Sequence, residues 1–148
     1  MFKKILVPVD GSPTSTHALE AAVQMARESS GEVRLLHLID DLPYVAAYES
    51  TGLYAAELDK TLREAGTRIL ADARALTEKA GVRCDVELID QFGLRLGEAV
   101  AEAVKRWGAD LVVVGTHGRR GIGRVVMGSG AEQVIRLAPV PVLVMRMP

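Results

Sequence analysis

The chain has one cysteine, Cys84, among its 148 residues. An internal disulfide is therefore excluded, and a reducing compartment is expected. Phe and Trp are scarce: two and one of them leave little with which to stack an isoalloxazine ring. Neither sign of charge is in excess, since 18 basic and 19 acidic side chains give a net charge of −1. Duplex-binding proteins carry a basic surplus, so nucleic acid is not an expected partner. No apolar run approaches the roughly 20 residues of a membrane-spanning helix, and no membrane partner is expected. The apolar part of the first ten residues ends at Asp10, too soon for a secretory signal, and no cleavage-like site follows. A cytoplasmic location is the expectation. What remains is an ordinary globular composition, 49% apolar and 25% charged, of a length that suits one domain spanning 1–148.

Short apolar runs alternate with segments of helical spacing. Lys4 to Val9 is β-branched and strand-like. Ser12 then offers an N-cap and Pro13 a first helical residue, with Ala18, Leu19, Ala22, Val23 and Ala26 on one face. That helix is expected to stop near Gly31. Val33 to Ile39 forms the second strand, and Asp40 to Gly52 a loop. The stripe Tyr54, Leu58, Leu62, Ala65, Ile69, Ala73, Leu76 predicts a long helix stopped by Gly81. Strands are expected at Val82–Ile89, Leu111–Val114 and Val140–Met145, and helices at Gly97–Trp107 and Gly128–Leu137.

This βαβαβαβαβ order predicts an α/β fold, a five-stranded parallel sheet with helices on both faces. The flavodoxin-like, Rossmann-like strand order 3-2-1-4-5 is the natural one. Strands one and four then lie side by side while their outgoing loops diverge, and ligands bind in such a crevice. Asp10 and Gly115 would form its two lips.

After the fourth strand comes a glycine-rich stretch, Gly115-Thr116-His117-Gly118-Arg119-Arg120-Gly121-Ile122-Gly123-Arg124-Val125-Val126-Met127-Gly128-Ser129-Gly130. Glycine lets backbone N–H groups approach an anion with no Cβ in the way. A helix opening at Gly128-Ser129-Gly130 adds free N–H groups and a favourable dipole. Arg119, Arg120 and Arg124 supply charge, so the stretch points to a polyphosphate. It is neither a Walker A loop, because Arg124-Val125 follows Gly123, nor a G-x-G-x-x-G fingerprint, because Val126 stands at the third position. Simpler roles exist for each part. Ser129 to Glu132 also fits a capping box, Asp10 also suits a turn, and each arginine also suits a solvated loop. His37 is read as core-adjacent, His117 as a loop residue and Cys84 as an inert buried thiol.

The spacing G-2x-G-9x-G-S, from Gly115 and Gly118 to Gly128-Ser129, resembles the ATP-binding universal stress proteins. Ile5-Leu6-Val7-Pro8-Val9-Asp10-Gly11-Ser12, Leu36-His37-Leu38-Ile39-Asp40 and Pro139-Val140-Pro141-Val142-Leu143-Val144 extend the resemblance over nearly the whole chain. It departs at Gly93-Leu94-Arg95, where family members often carry Gly-x-Pro. The resemblance implies that Asp10 holds the ribose hydroxyls and that the Leu38 backbone meets the adenine edge. It implies that Pro8, Val9, Gly11 and Ser12 line that side. Gly115, Thr116, His117, Gly118, Arg119, Arg120, Gly128, Ser129 and Gly130 would wrap the phosphates, with Mg²⁺ or Mn²⁺ shared among them. It also implies a homodimer through Val140 to Met145, an apolar edge strand. The function expected is an ATP-binding regulatory module of the stress response. Slow hydrolysis is the most activity expected, because no general base is evident and no lysine follows Lys105. The alternatives are a nucleotide-free stress protein acting through protein contacts, a receiver-like phospho-acceptor domain and a flavin carrier. The receiver reading lacks the paired acids and the final-strand Lys.

Overall fold

The computed structural model describes residues 1–39, 52–116 and 127–148. The elements are β1 (Lys4–Pro8), α1 (Pro13–Ser29), β2 (Glu32–Leu38), α2 (Gly52–Lys79), β3 (Arg83–Ile89), α3 (Leu96–Trp107), β4 (Leu111–Gly115), α4 (Ser129–Leu137) and β5 (Val142–Met145). The sheet runs β3-β2-β1-β4-β5 with every pair parallel. Fold class and strand order are as the sequence predicts. The loop expected from Asp40 lies outside the described residues as far as 51, and Gly52 already belongs to α2.

Side chains alternate across a strand, so each strand feeds two cores. Ile5, Val7 and Val9 meet Ala18, Leu19, Ala22 and Leu70, placing α1 and α2 on one face. Leu6, Val112 and Val114 meet Val100, Val104, Ala131 and Val134, placing α3 and α4 on the other. Leu6, Leu35 and Leu36 are fully buried, each worth about 1.5–3 kcal/mol of transfer free energy.

Local chemistry sets the helix ends. Ser12 Oγ accepts the Ser15 N–H at 3.2 Å, and Pro13 opens α1. The helix closes at Ser30 in the left-handed region (φ 55°), while the Gly31 N–H returns to the Ala26 carbonyl. Gly31 serves a different need from the stop expected there: a Cβ would stand 2.7 Å from the Lys3 carbonyl oxygen. The α2 stripe is also rotated. Leu58, Leu62, Ala65, Ile69, Ala73 and Leu76 are only half-buried, whereas Gly66, Leu70 and Thr77 lie innermost. A Cβ on Gly66 would come within 2.8 Å of His37 Cδ2 and 2.9 Å of Leu88 Cδ1. The helix thus turns its mid-helix glycine to the strands.

Cys84 is buried on β3, and burial pushes its thiol from 9.0 to about 11. The unfolded chain then ionises first. The stability that this thiol contributes is complete below pH 9 and is lost as pH rises towards 11. Urea unfolding at pH 8 and at about pH 10.5 should show a larger loss for the wild type than for Cys84→Ala. Equal losses would rule out the buried thiol as the cause.

The two margins of the sheet differ. On the β3 side, Arg34 Nη2 bonds Asp85 Oδ2 at 2.9 Å, Arg83 lies 4.0 Å from Glu32, and Arg106 pairs with Glu87. The guanidinium of Arg34 and the ammonium of Lys4 stack on Trp107, 4.8 and 5.3 Å from the ring centre. The β5 side carries Val142, Leu143, Val144 and Met145, all half-buried. Val112 N–H bonds the Pro141 carbonyl at 3.0 Å, and Thr116 N–H bonds that of Met145 at 2.9 Å. Odd-numbered residues of β5 therefore face β4, and the peptide groups of Val142 and Val144 face outward.

Candidate nucleotide site

Because the strands are parallel, Pro8, Leu38, Ile89, Gly115 and Met145 all end on one rim. β1 and β4 are neighbours there, and the chain leaves them towards opposite faces, into α1 and α4. A crevice opens where such a sheet reverses direction.

On the β1 lip, Asp10 Oδ1 accepts the Ser12 N–H at 2.9 Å, and the Asp10 N–H donates to Ser15 Oγ at 3.2 Å. Asp10 therefore does close a turn, and the turn holds its half-buried carboxylate at the rim. Gly11 has φ +81°, and a Cβ there would lie 3.2 Å from Ile69 Cγ1. Ser12 is buried and occupied as the α1 cap. Pro8 and Val9 are buried beneath this turn. Val9 N–H donates to the Leu36 carbonyl at 2.8 Å, and its own carbonyl lies 2.7 Å from His37 Nδ1. A carbonyl only accepts, so Nδ1 carries the proton. Leu38, half-buried, ends β2 beside them.

On the β4 lip, Gly115 packs against α1. A Cβ there would stand 2.8 Å from Thr14 Cγ2 and 3.0 Å from the Thr14 carbonyl carbon and oxygen. Close packing thus suffices to require this glycine, whatever ligand it meets. Thr116 is buried, and its carbonyl accepts the Gly128 N–H at 2.6 Å. That bond clamps together the two ends of the glycine-rich stretch. His117, Gly118, Arg119 and Arg120, with Gly121, Gly123 and Arg124, lie outside the described residues.

The capping-box reading of Ser129 does not hold. Gly128 is the N-cap (φ −64°, ψ 154°), no side chain caps the helix, and Glu132 pairs with Arg136 instead. The helix starts one residue earlier than the box requires, so Ser129 and Gly130 fall in its first turn. Their amides belong to the orphan set of a helix N-terminus. Gly130 also admits Leu96, whose Cδ2 would lie 3.0 Å from a Cβ there.

At the end of β3, Arg63 Nε reaches Asp90 Oδ2 at 2.8 Å and Asp59 Oδ2 at 3.7 Å, tying α2 to the rim. Desolvation, and then the nearby Asp90 carboxylate, raise the Asp59 carboxyl above its ordinary value. His37 was legible only as a core residue. Its bond to Val9 has no signal in sequence beyond a polar residue set between Leu36 and Leu38. No helix among the described residues is long and apolar enough to cross a membrane.

The family model of the universal stress protein family matches residues 1–146. Universal stress protein MJ0531 of Methanocaldococcus jannaschii is 36% identical, with 100% of this chain and 84% of that protein aligned. The solved structure of hypothetical protein MJ0577 superposes with a TM-score of 0.84 at 27% identity, covering 100% of this chain and 98% of that one. More distant structures share the fold and hold nucleotides. A universal stress protein in complex with cAMP has a TM-score of 0.67 at 22% identity, over 98% of this chain and 97% of that one. An Arabidopsis thaliana member with AMP bound has a TM-score of 0.69 at 18%, over 99% and 92%. An Archaeoglobus fulgidus member in complex with dAMP has a TM-score of 0.69 at 22%, over 97% of each. With the family model matched over residues 1–146 and a curated relative aligned along its full length, this chain belongs to the universal stress protein family.

Proposed function

We propose that this protein binds an adenine nucleotide, ATP with Mg²⁺ or Mn²⁺, and serves in the cytoplasm as a regulatory module of a stress response. The observation that carries the reading is the N-terminus of α4, which no side chain caps and which the Gly128–Thr116 bond ties to the end of β4, the strand next to the one that leads to Asp10. Bare amides and a helix dipole favour phosphate. Asp10 would take the ribose hydroxyls, Leu38 the base edge, and Pro8, Val9, Gly11 and Ser12 the wall beneath. Gly115 to Arg120 and Gly128 to Gly130 would surround the phosphates. The cation would be held through the phosphates. Bound AMP, dAMP and cAMP in proteins of this fold support an adenine ligand of some phosphate number. Phosphoryl transfer rests on positioning and charge, so slow hydrolysis fits the reading without a dedicated base.

Denaturing the purified protein and separating released nucleotide by chromatography tests the reading. Adenine nucleotide at near-stoichiometric yield is expected, or else binding of added Mg–ATP at or below about millimolar concentration. Failure of both would end it.

The proposal includes a symmetric homodimer through β5. The outward peptide groups of Val142 and Val144, on an apolar strand, suit a partner strand. Light scattering should give about twice the 15.9 kDa chain mass. Val144→Pro removes an outward N–H while sparing the ladder to β4, and should yield a folded monomer. A Val144→Pro dimer would place the interface elsewhere.

A further inference from the structure

His37 and Val9 lie where β1 and β2 part. The paired register of β1 and β2 ends at Pro8–Leu36, although Val9 N–H still donates to the Leu36 carbonyl. The next rung of a parallel ladder would run from the Leu38 N–H to the Val9 carbonyl. That rung is not formed. The Val9 carbonyl is taken instead by the His37 imidazole at 2.7 Å. Peptide groups alternate sides along β2: Leu36 faces β1, while Ile39 N–H donates to Ile89 on β3 at 3.0 Å. Leu38 must therefore turn both its N–H and its C=O towards β1. Among the described residues neither group has a backbone partner on that side.

We propose that His37 is a positioning residue whose imidazole occupies the Val9 carbonyl and so releases the Leu38 peptide to read the ligand's base. An outward N–H and C=O side by side match the adjacent acceptor and donor on the edge of adenine. Without the imidazole, the Val9 carbonyl would recruit the Leu38 N–H, close one more rung and remove the donor from the rim. The ring is held in place from behind. Gly66 leaves space for it, since a Cβ there would stand 2.8 Å from Cδ2 and 3.2 Å from Nε2. This role rests on the adenine-site reading, yet its first consequence shows without any ligand.

Amide hydrogen exchange on the nucleotide-free protein tests that consequence. Leu38 should exchange rapidly in the wild type, slowly in His37→Leu, and rapidly again in His37→Asn, whose carboxamide N–H can replace Nδ1–H. Titration with Mg–ATP and with tripolyphosphate, which has no base, tests the second. His37→Leu should weaken ATP about tenfold with tripolyphosphate affinity unchanged, and His37→Asn should restore ATP. Unaltered Leu38 exchange in His37→Leu would overturn the release, and equal weakening of both ligands would overturn the link to the base. Should the wild type bind no ATP, the nucleotide reading falls while the exchange comparison still decides whether His37 frees Leu38.

Discussion

Gly97→Ala should lower the thermal midpoint by about 2–12 °C and weaken nucleotide binding with it. Gly97 lies in the first turn of α3 where α4 crosses, buried, with its N–H 3.3 Å from Gln133 Oε1. A Cβ there would stand 2.7 Å from Gln133 Cβ and 2.8 Å from its carbonyl carbon and oxygen. Two of those three atoms are main chain, so no rotamer change relieves the clash and α4 itself must move. Overpacking of this kind costs about 1–3 kcal/mol, and each kcal/mol is worth roughly 2–4 °C in a chain of this size. The shift of α4 carries Ser129 and Gly130 with it, hence the expected loss of affinity. Scanning calorimetry and Mg–ATP titration on the same samples check both halves. An unchanged midpoint would mean that the two helices separate freely, contrary to the packing described.

Asp10→Asn should weaken ATP about tenfold or more while leaving stability nearly intact. The carboxamide oxygen still accepts the Ser12 N–H, so the turn into α1 survives. What disappears is the charge on the proposed bonds to the ribose hydroxyls, and bonds to charged groups are worth about 1.5–3 kcal/mol. Asp10→Ala should lose the same affinity and also about 1 kcal/mol of stability, because the turn bond goes too. The pair of variants separates the two roles of one side chain. If Asp10→Asn binds ATP like the wild type while Asp10→Ala does not, Asp10 is a turn residue alone.

The parallel sheet was readable because strands and helices alternate along the chain, and Leu111-Val112-Val113-Val114 does feed apolar side chains to both faces. The face of α2 was readable to within about one residue and no closer. Its phase depends on Gly66 meeting His37, a contact between segments that the chain brings together only when folded. Glycines were the hardest to sort. Gly115, Gly97 and Gly31 each make room for another backbone, and in sequence such a residue looks the same as one that exposes its amide to an anion. Ser129 shows the reverse error. The pattern from Ser129 to Glu132 suits a capping box, but the bond from Gly128 N–H to the Thr116 carbonyl fixes where α4 starts and leaves Gly128 as its cap. The asymmetry between His37 and its apolar neighbours was visible, though nothing local indicated that its partner would be Val9.

The unlike margins of the sheet bear on how large an assembly can grow. A ribbon with two adhesive borders can add copies indefinitely and end as a filament. Here one border is studded with ion pairs formed within the molecule, and such charges deter strand addition. Growth through the other border, in the proposed dimer, would consume it in a single self-complementary union. On that geometry, raising the protein concentration should saturate the mass at two chains without progressing to fibres.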